Sequence, residues 1–600
     1  MLIDGDSPTR ARVGSRLPVP ASAGWTLAVA ALLLGAFLVR IWGVGHGLPY
    51  AYNADENAHF VPKAIGLFGH DLNPHYFVNP PAYTYVLHVV FAVWFGGREG
   101  VSSAYATNPT EVYVVARVTA AVLGTLAVWL LYLAGARLFD RRVGLLAAGL
   151  LGVAFLPVFY SHLALNDVPT LAPVCLCLWA VSGVLRFGRR RDYVVAGLAL
   201  GLAAATKYTG GIVLLPLLGA ALVQFFAPDG RGPALKGLAL AGGLALLGFL
   251  IANPYAVLSF AEFFDGLAHQ NDAAADTAGK LGLDQNNGVL YYLWTLTWGL
   301  GWIPALLALF ALGRLYRDEP RLLLVLAPAP LIFLIFMGIQ SRFFGRWVIP
   351  ILPFVCLLAA YLALELIDWG ARRHPRLRPT LLAVAAIALC GQGVVAVLHV
   401  GQVLSREDTR NSARSWMVDN VPPTQVVTDA ATGGTKIVAT RIVAEPVVPD
   451  GWAQDIGRPS ALTSNGNRWV KFPTSRSNFE NDGTPIPGPG RIVNIEDYER
   501  TLRPELVDAY EKQGYCWVVS GSTQRGRAEA DREEVPGAIA YYSELERRGR
   551  LVHQSSPFSA GSDPVAFNFD FSFNYAPLAY ERPGPTMQVY RLIRGQCARG

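Results

Sequence analysis

Predominantly apolar runs of about 15 or more residues recur up to about residue 400 and then stop. Runs such as 25–39, 112–135 and 348–367 are long enough, or nearly so, to span about 30 Å of hydrocarbon at about 1.5 Å per residue. The pattern predicts crossings near 24–44, 112–136, 143–160, 169–185, 193–207, 210–226, 237–252, 290–312, 321–338, 347–367 and 380–400, about eleven transmembrane helices. The stretch 82–95 is shorter, follows Pro80 and Pro81, and contains His88. It is predicted to lie at the outer interface as a juxtamembrane helix. The polar region after residue 405 shows a different rhythm. Helical patterns at 408–418, 505–513 and 538–548 alternate with strand patterns at 425–428, 436–443, 515–519 and 586–592, the signature of a small α/β layer domain with long loops at 450–495 and 553–585. The predicted fold class is a polytopic α-helical membrane protein with a C-terminal extracytoplasmic α/β domain. Its parts are a cytoplasmic tail at 1–23, a transmembrane domain at 24–404 and the outer domain at 405–600.

Composition agrees with that pattern: 52% of residues are hydrophobic and 16% charged, where a soluble domain would carry about 25% charged residues. The net charge of +6 comes largely from arginines between apolar runs and gives no reason to invoke nucleic acid. Clusters at Arg137/Arg141/Arg142, Arg186/Arg189/Arg190/Arg191, Arg231/Lys236, Arg314/Arg317/Arg321 and Arg372/Arg373/Arg376/Arg378 mark cytoplasmic loops, as do Arg10, Arg12 and Arg16 in the tail. This parity requires 82–95 not to cross, and requires two separate crossings to meet at Lys207. It implies an integral protein of the cytoplasmic (plasma) membrane, with the N-terminus cytoplasmic and the outer domain extracytoplasmic. Cys175, Cys177, Cys356 and Cys390 sit in apolar runs and show no metal spacing; Cys516 and Cys597 fall in the outer domain, where an oxidising compartment would permit them to pair. Neither a Walker loop nor a dinucleotide fingerprint is present. Energy must therefore come from a pre-activated substrate or a gradient.

Chemistry-bearing residues gather in the connections assigned to the outer face. Asp55 and Glu56, both candidate catalytic carboxylates, follow the first span, and a helix over 56–68 is expected with Asp55 as its cap. On that helix Glu56, His59 or Phe60, and Lys63 share a face toward a cleft, leaving Ala64, Leu67 and Phe68 for lipid. Desolvation is expected to raise the basicity of Asp55, which suits proton removal from a hydroxyl. Asp167 lies between two apolar segments with almost no loop to spare, where it either serves a site or caps a helix ahead of Pro169. Lys207, Arg342 and Arg346 are cations at the same membrane level. Together they suit an anionic lipid headgroup, although an arginine at a helix end also snorkels. His59, His75 and His162 are candidate substrate-binding residues and, with Asp55 and Asp167, possible ligands of a divalent metal ion, without any close metal-binding spacing.

These residues resemble those of the lipid-linked-sugar glycosyltransferases of the GT-C superfamily, in particular the branch of protein O-mannosyltransferases and the aminoarabinose transferase. The similarity is carried by Asp55–Glu56, by Gly69–His70–Asp71–Leu72–Asn73–Pro74–His75 leading to Asn79–Pro80–Pro81–Ala82–Tyr83, and by Arg137–Leu138–Phe139 before Val143–Gly144–Leu145. Further on it is carried by Asn166–Asp167–Val168–Pro169, Thr206–Lys207–Tyr208–Thr209–Gly210 and Arg342–Phe343–Phe344. The resemblance implies outward-facing catalysis, a polyprenyl-phosphate sugar donor and inversion at the anomeric carbon. It implies Asp55 as the catalytic carboxylate, Asp167 as a second acid, and Lys207 with Arg346 or Arg342 as phosphate contacts. The acceptor hydroxyl, on a glycan, lipid or protein, is left open. Two other functions fit the same residues: a transporter of an amphiphilic anion, or a non-catalytic glycan-binding assembly factor.

Overall fold

The computed structural model describes residues 23–69, 71–275, 281–282, 287–428, 433–454, 467–480, 484–488, 490–493, 495–559, 561, 567–568, 570–571 and 575–599. The expected tail lies outside the described residues except for Ala23, and the loops expected at 450–495 and 553–585 do so in part. Among the described residues eight helices are long and apolar enough to cross a membrane: Ala23–Ile41, Thr110–Leu138, Tyr208–Phe225, Arg231–Ala252, Gly288–Asp318, Pro320–Gly338, Gly345–Arg373 and Pro375–Asn420. The other three expected crossings fall on shorter elements. These are Leu171–Phe187, Arg190–Thr206, and the pair Arg141–Val153 and Phe155–Tyr160.

That pair is separated by Ala154, whose backbone is extended. A helix end inside the bundle leaves carbonyls without intrahelical partners, and Arg40 of the first span satisfies two of them. Its fully buried guanidinium donates to the carbonyls of Gly152 at 2.9 Å and Leu151 at 3.2 Å. The chain then restarts as the helix Phe155–Tyr160. Lys207 makes a second break: it is extended between Arg190–Thr206 and the 3₁₀ turn Tyr208–Val213, so the apolar stretch around it is two helices. Ala82–Phe95 is a 14-residue helix ended by left-handed Gly96, with Val86, Val89, Val93 and Trp94 exposed. An exposed apolar face on so short a helix suits the interface.

The C-terminal region begins where Asp408 caps the helix Thr409–Asn420 by accepting from the Arg410 amide. Its strands are β1 (Gln425–Thr428), β2 (Thr435–Val438), β3 (Arg441–Ala444), β4 (Val470–Lys471), β5 (Arg476–Ser477), β6 (Arg491–Ile492), β7 (Tyr515–Gly521), β8 (Gly549–Ser555) and β9 (Met587–Leu592). A five-stranded sheet has the order β4-β3-β7-β9-β8, with β3 parallel to β4 and β7, and β9 antiparallel to β7 and β8. The single strand expected at 436–443 is instead β2 and β3, which turn into different sheets. β8 has no counterpart in the sequence reading, because its Arg550, His553 and Gln554 blur the alternation. Cys516 and Cys597 form a disulfide that ties β7 to the final turn. The region docks on the connection that follows the first span, where Tyr52 donates to Asn411 at 2.6 Å and Asn411 donates to the Leu48 carbonyl at 3.0 Å.

Candidate active site

Four charged side chains from four separate segments meet at one end of the helix bundle. Asp55 accepts from Arg346 at 2.8 Å, and Lys207 pairs with Asp167. The pairs interlock: Lys207 is near enough to Arg346 and Asp55 for their charges to interact, and Arg346 likewise reaches Asp167. The result is a compact quartet of two acids and two bases. Asp167 and Lys207 are almost wholly buried, whereas the side chain of Asp55 remains 35% exposed. Asp55 is therefore the member that opens outward.

Local sequence explains the placement. Asn53, and not Asp55, caps the helix that follows, its side chain accepting from the Glu56 amide at 3.1 Å; Asp55 makes no capping bond. The cap role expected for Asp55 is thus corrected, and its carboxylate is released toward Arg346. The helix opens as a π turn, Glu56–Phe60, before Val61–Gly66. The wider turn shifts the phase of the face, so Ala64 and Leu67 are buried where lipid contact was expected. Asn166 fastens the second pair, donating to the Thr206 carbonyl at 2.8 Å and to Asn79 at 3.4 Å.

The expected rise in Asp55 basicity is also overturned. Burial, the largest single influence, pushes its pKa up, but Arg346, His59 and Lys207 together outweigh it, and the net direction is down. Asp55 is held as a carboxylate with a cation already on it.

The remaining sequence-stated candidates have different fates. Glu56, expected to be catalytic, is fully buried and accepts from Arg117 at two positions, each 2.7 Å, and from the Ala164 amide at 2.8 Å. Its carboxylate is turned into the bundle and joins the connection after the first span to the span Thr110–Leu138 and to the connection at Ala164. His162 is buried with its two ring nitrogens on backbone carbonyls of Val158 and Trp42, at 2.9 and 3.0 Å. His75 leaves the site to pair with Glu262 at 2.8 Å. His59 stays beside Asp55, its ring stacked on Tyr76 at 4.4 Å; burial lowers its pKa against the opposing pull of Asp55. Arg342 is buried on the loop before Arg346, and Arg346 is the arginine that meets Asp55. Among the described residues no group of three or more His, Cys, Asp or Glu side chains is placed to hold a metal ion, so the metal-ligand set considered for the histidines does not assemble.

Sequence reasoning missed Arg117, although an arginine inside an apolar span is itself a signal that a partner exists. It also missed Tyr76, Asn79, Tyr160 and Tyr575, whose roles depend on long-range packing.

Residues 110–260 match the family model for dolichyl-phosphate-mannose-protein mannosyltransferase. No curated protein sequence matches the chain. Among solved structures, the oligosaccharyltransferase of Archaeoglobus fulgidus, tethered with an acceptor peptide, aligns over 94% of this chain and 88% of its own. The TM-score is 0.52 and the identity 12%. The chain shares the fold of that oligosaccharyltransferase. ArnT from Cupriavidus metallidurans, bound to undecaprenyl phosphate, aligns over 67% of this chain and 73% of its own, with a TM-score of 0.43 and 16% identity. The charge quartet draws Asp167 and Lys207 from inside the family-matched segment and Asp55 and Arg346 from outside it.

Proposed function

We propose that this protein is an inverting glycosyltransferase that moves a sugar from a polyprenyl-phosphate donor to a hydroxyl acceptor at the outer membrane face. The observation that carries the reading is the quartet: an acid open to the outside, held by an arginine that a phosphate would compete for. The family match over 110–260 and the shared fold support the donor class. The disulfide in the C-terminal region, of a kind that persists in oxidising compartments, supports an outward orientation.

The charges suggest a sequence of events. A donor phosphate takes up hydrogen bonds from Lys207 and Arg346, cations suited to phosphate oxygens. Arg346 then shares its guanidinium between phosphate and Asp55, and Asp55 recovers basicity as its neutralising partner is drawn off. The acceptor hydroxyl gives its proton to Asp55 as its oxygen bonds to the anomeric carbon from the face opposite the phosphate. The anomeric carbon–phosphate oxygen bond breaks, and polyprenyl phosphate leaves with its charge stabilised by the two cations. Asp167 keeps Lys207 charged and placed throughout.

The test compares wild type with Asp55→Asn, using a panel of polyprenyl-phosphate sugars and, separately, binding of farnesyl phosphate. Asn preserves volume but cannot take the proton. Binding and thermal unfolding should be retained while transfer falls by about 100- to 10,000-fold. Near-normal transfer by Asp55→Asn would remove it as the base.

A further inference from the structure

The C-terminal region places one tyrosine directly behind the site. Tyr575 is 4% exposed, its ring packed by Trp298 at 4.9 Å, Phe159 at 5.1 Å and Phe155 at 5.7 Å, all from the helix bundle. Its hydroxyl lies 3.2 Å from that of Tyr160. Tyr160 ends the short helix Phe155–Tyr160 and is close enough to Arg346 and Asp167 to interact with their charges. The same Tyr575 hydroxyl rests on the backbone just ahead of Arg346, for a β-carbon added to Gly345 would come within 2.9 Å of it. The segment is anchored from both sides. Tyr291 donates to Asp570 with both carboxylate oxygens at 2.9 Å, and the Tyr575 amide donates to the Asp570 carbonyl at 3.0 Å.

A ring could fill this space without a hydroxyl. Placing a polar group in such an aromatic nest carries a desolvation cost unless it is bonded, and the bond it makes is to the residue whose own hydroxyl faces the quartet. We infer that Tyr575 is a positioning residue supplied by the C-terminal region. Through Tyr160 and the backbone at Gly345 it holds Arg346 at the angle that serves both Asp55 and a donor phosphate. The inference rests on the reading of the quartet as the phosphate site and adds to it a regulatory consequence: that site is fully formed only while Tyr575 is seated.

The experiment uses the full chain in detergent and farnesyl phosphate as the probe. Tyr575→Phe keeps the ring and removes only the hydroxyl, so thermal unfolding should stay at the wild-type temperature. Affinity for farnesyl phosphate should fall roughly 3- to 10-fold, the worth of one hydrogen bond. Tyr160→Phe should do the same, and the double variant should bind no more weakly than either single one, because both remove the same bond. Wild-type affinity in Tyr575→Phe, or losses that multiply in the double variant, would overturn the inference while leaving the transferase reading standing. Absence of farnesyl phosphate binding in the wild-type chain would instead remove the phosphate site and the inference with it.

Discussion

Asp55 and Glu56 are adjacent carboxylates with opposite fates, and the difference lies in which arginine reaches each. Arg117 rises from the span Thr110–Leu138 to take Glu56 into the bundle, while Arg346 approaches from the far side to hold Asp55 at the opening. The sequence showed that two acids followed the first span; it did not show which arginine pairs with each, since the partners lie 61 positions from Glu56 and far beyond that for Asp55. The same long-range pairing sets how Asp55 titrates. Burial, the largest single influence, raises its pKa, and Arg346, His59 and Lys207 together more than cancel that rise, so removing the arginine shifts the balance toward burial. In the proposed reaction Asp55 acts in its deprotonated form, so activity is expected to fall as pH drops through its pKa. In Arg346→Gln the acid limb of kcat/KM, which reports the free enzyme, should move to higher pH than in wild type, beyond the lower overall rate expected from a lost phosphate contact. An acid limb that stays in place would mean that Arg346 does not govern the proton affinity of the catalytic group.

Breaks in helices, more than the helices themselves, deliver residues to the site. Lys207 sits in extended backbone where Arg190–Thr206 ends, and Tyr160 ends the helix that restarts after Ala154. The apolar pattern identified a boundary at Lys207, since a cation between two short runs marks one, but it passed over Ala154, because alanine carries no signal of a bend and the compensating Arg40 lies on another span. The helix before Lys207 is held in place by a spacing that the apolar pattern passed over: Gly197 and Gly201 form a small-x-x-x-small pair that permits close helix approach. Their partner could not be read from it. A β-carbon on Gly201 would lie 2.1 Å from the Ala245 carbonyl oxygen, and one on Gly197 would lie 2.3 Å from that of Ala241, so both face Arg231–Ala252. Gly201→Val should force the two helices apart, costing about 1–3 kcal/mol, and should carry Lys207 away from Asp167. The expected result is a lower unfolding temperature together with weaker farnesyl phosphate binding. Gly242→Ala provides the comparison: it lies on the same partner helix with nothing within 4 Å of an added β-carbon, and should equal or exceed wild type in both measurements. Equal behaviour of the two variants would show that this helix contact does not place Lys207.

For the whole molecule, charge distribution carried more than any motif, because a membrane imposes one rule on every loop at once. Basic clusters at alternate connections implied that the residues around Asp55, Asp167 and Arg346 share one side, and the quartet brings those three connections together with Lys207. The architecture of the C-terminal region was legible in outline, through β7, β9 and the flanking helices, while its attachment to the bundle through Tyr575 was not: an aromatic loop reads the same whether it meets lipid, solvent or another helix. The parity that places the quartet outside also fixes the fate of distant positions, and this makes it testable away from the chemistry. His374 lies in the turn between Leu352–Arg373 and Arg378–Leu404, amid the last arginine cluster, and Glu480 lies in the C-terminal region. With a membrane-impermeant maleimide on intact cells, Glu480→Cys should label at once and His374→Cys only after the membrane is opened. Both variants are distant from the quartet, so transfer activity can confirm that each labelled protein is correctly assembled. Labelling in the reverse order would invert the chain and place the quartet on the cytoplasmic side, which would leave the outward-facing reaction without a site. Labelling of both positions in intact cells would instead confine the error to the final two spans, since an unpaired crossing there moves His374 without moving Asp55.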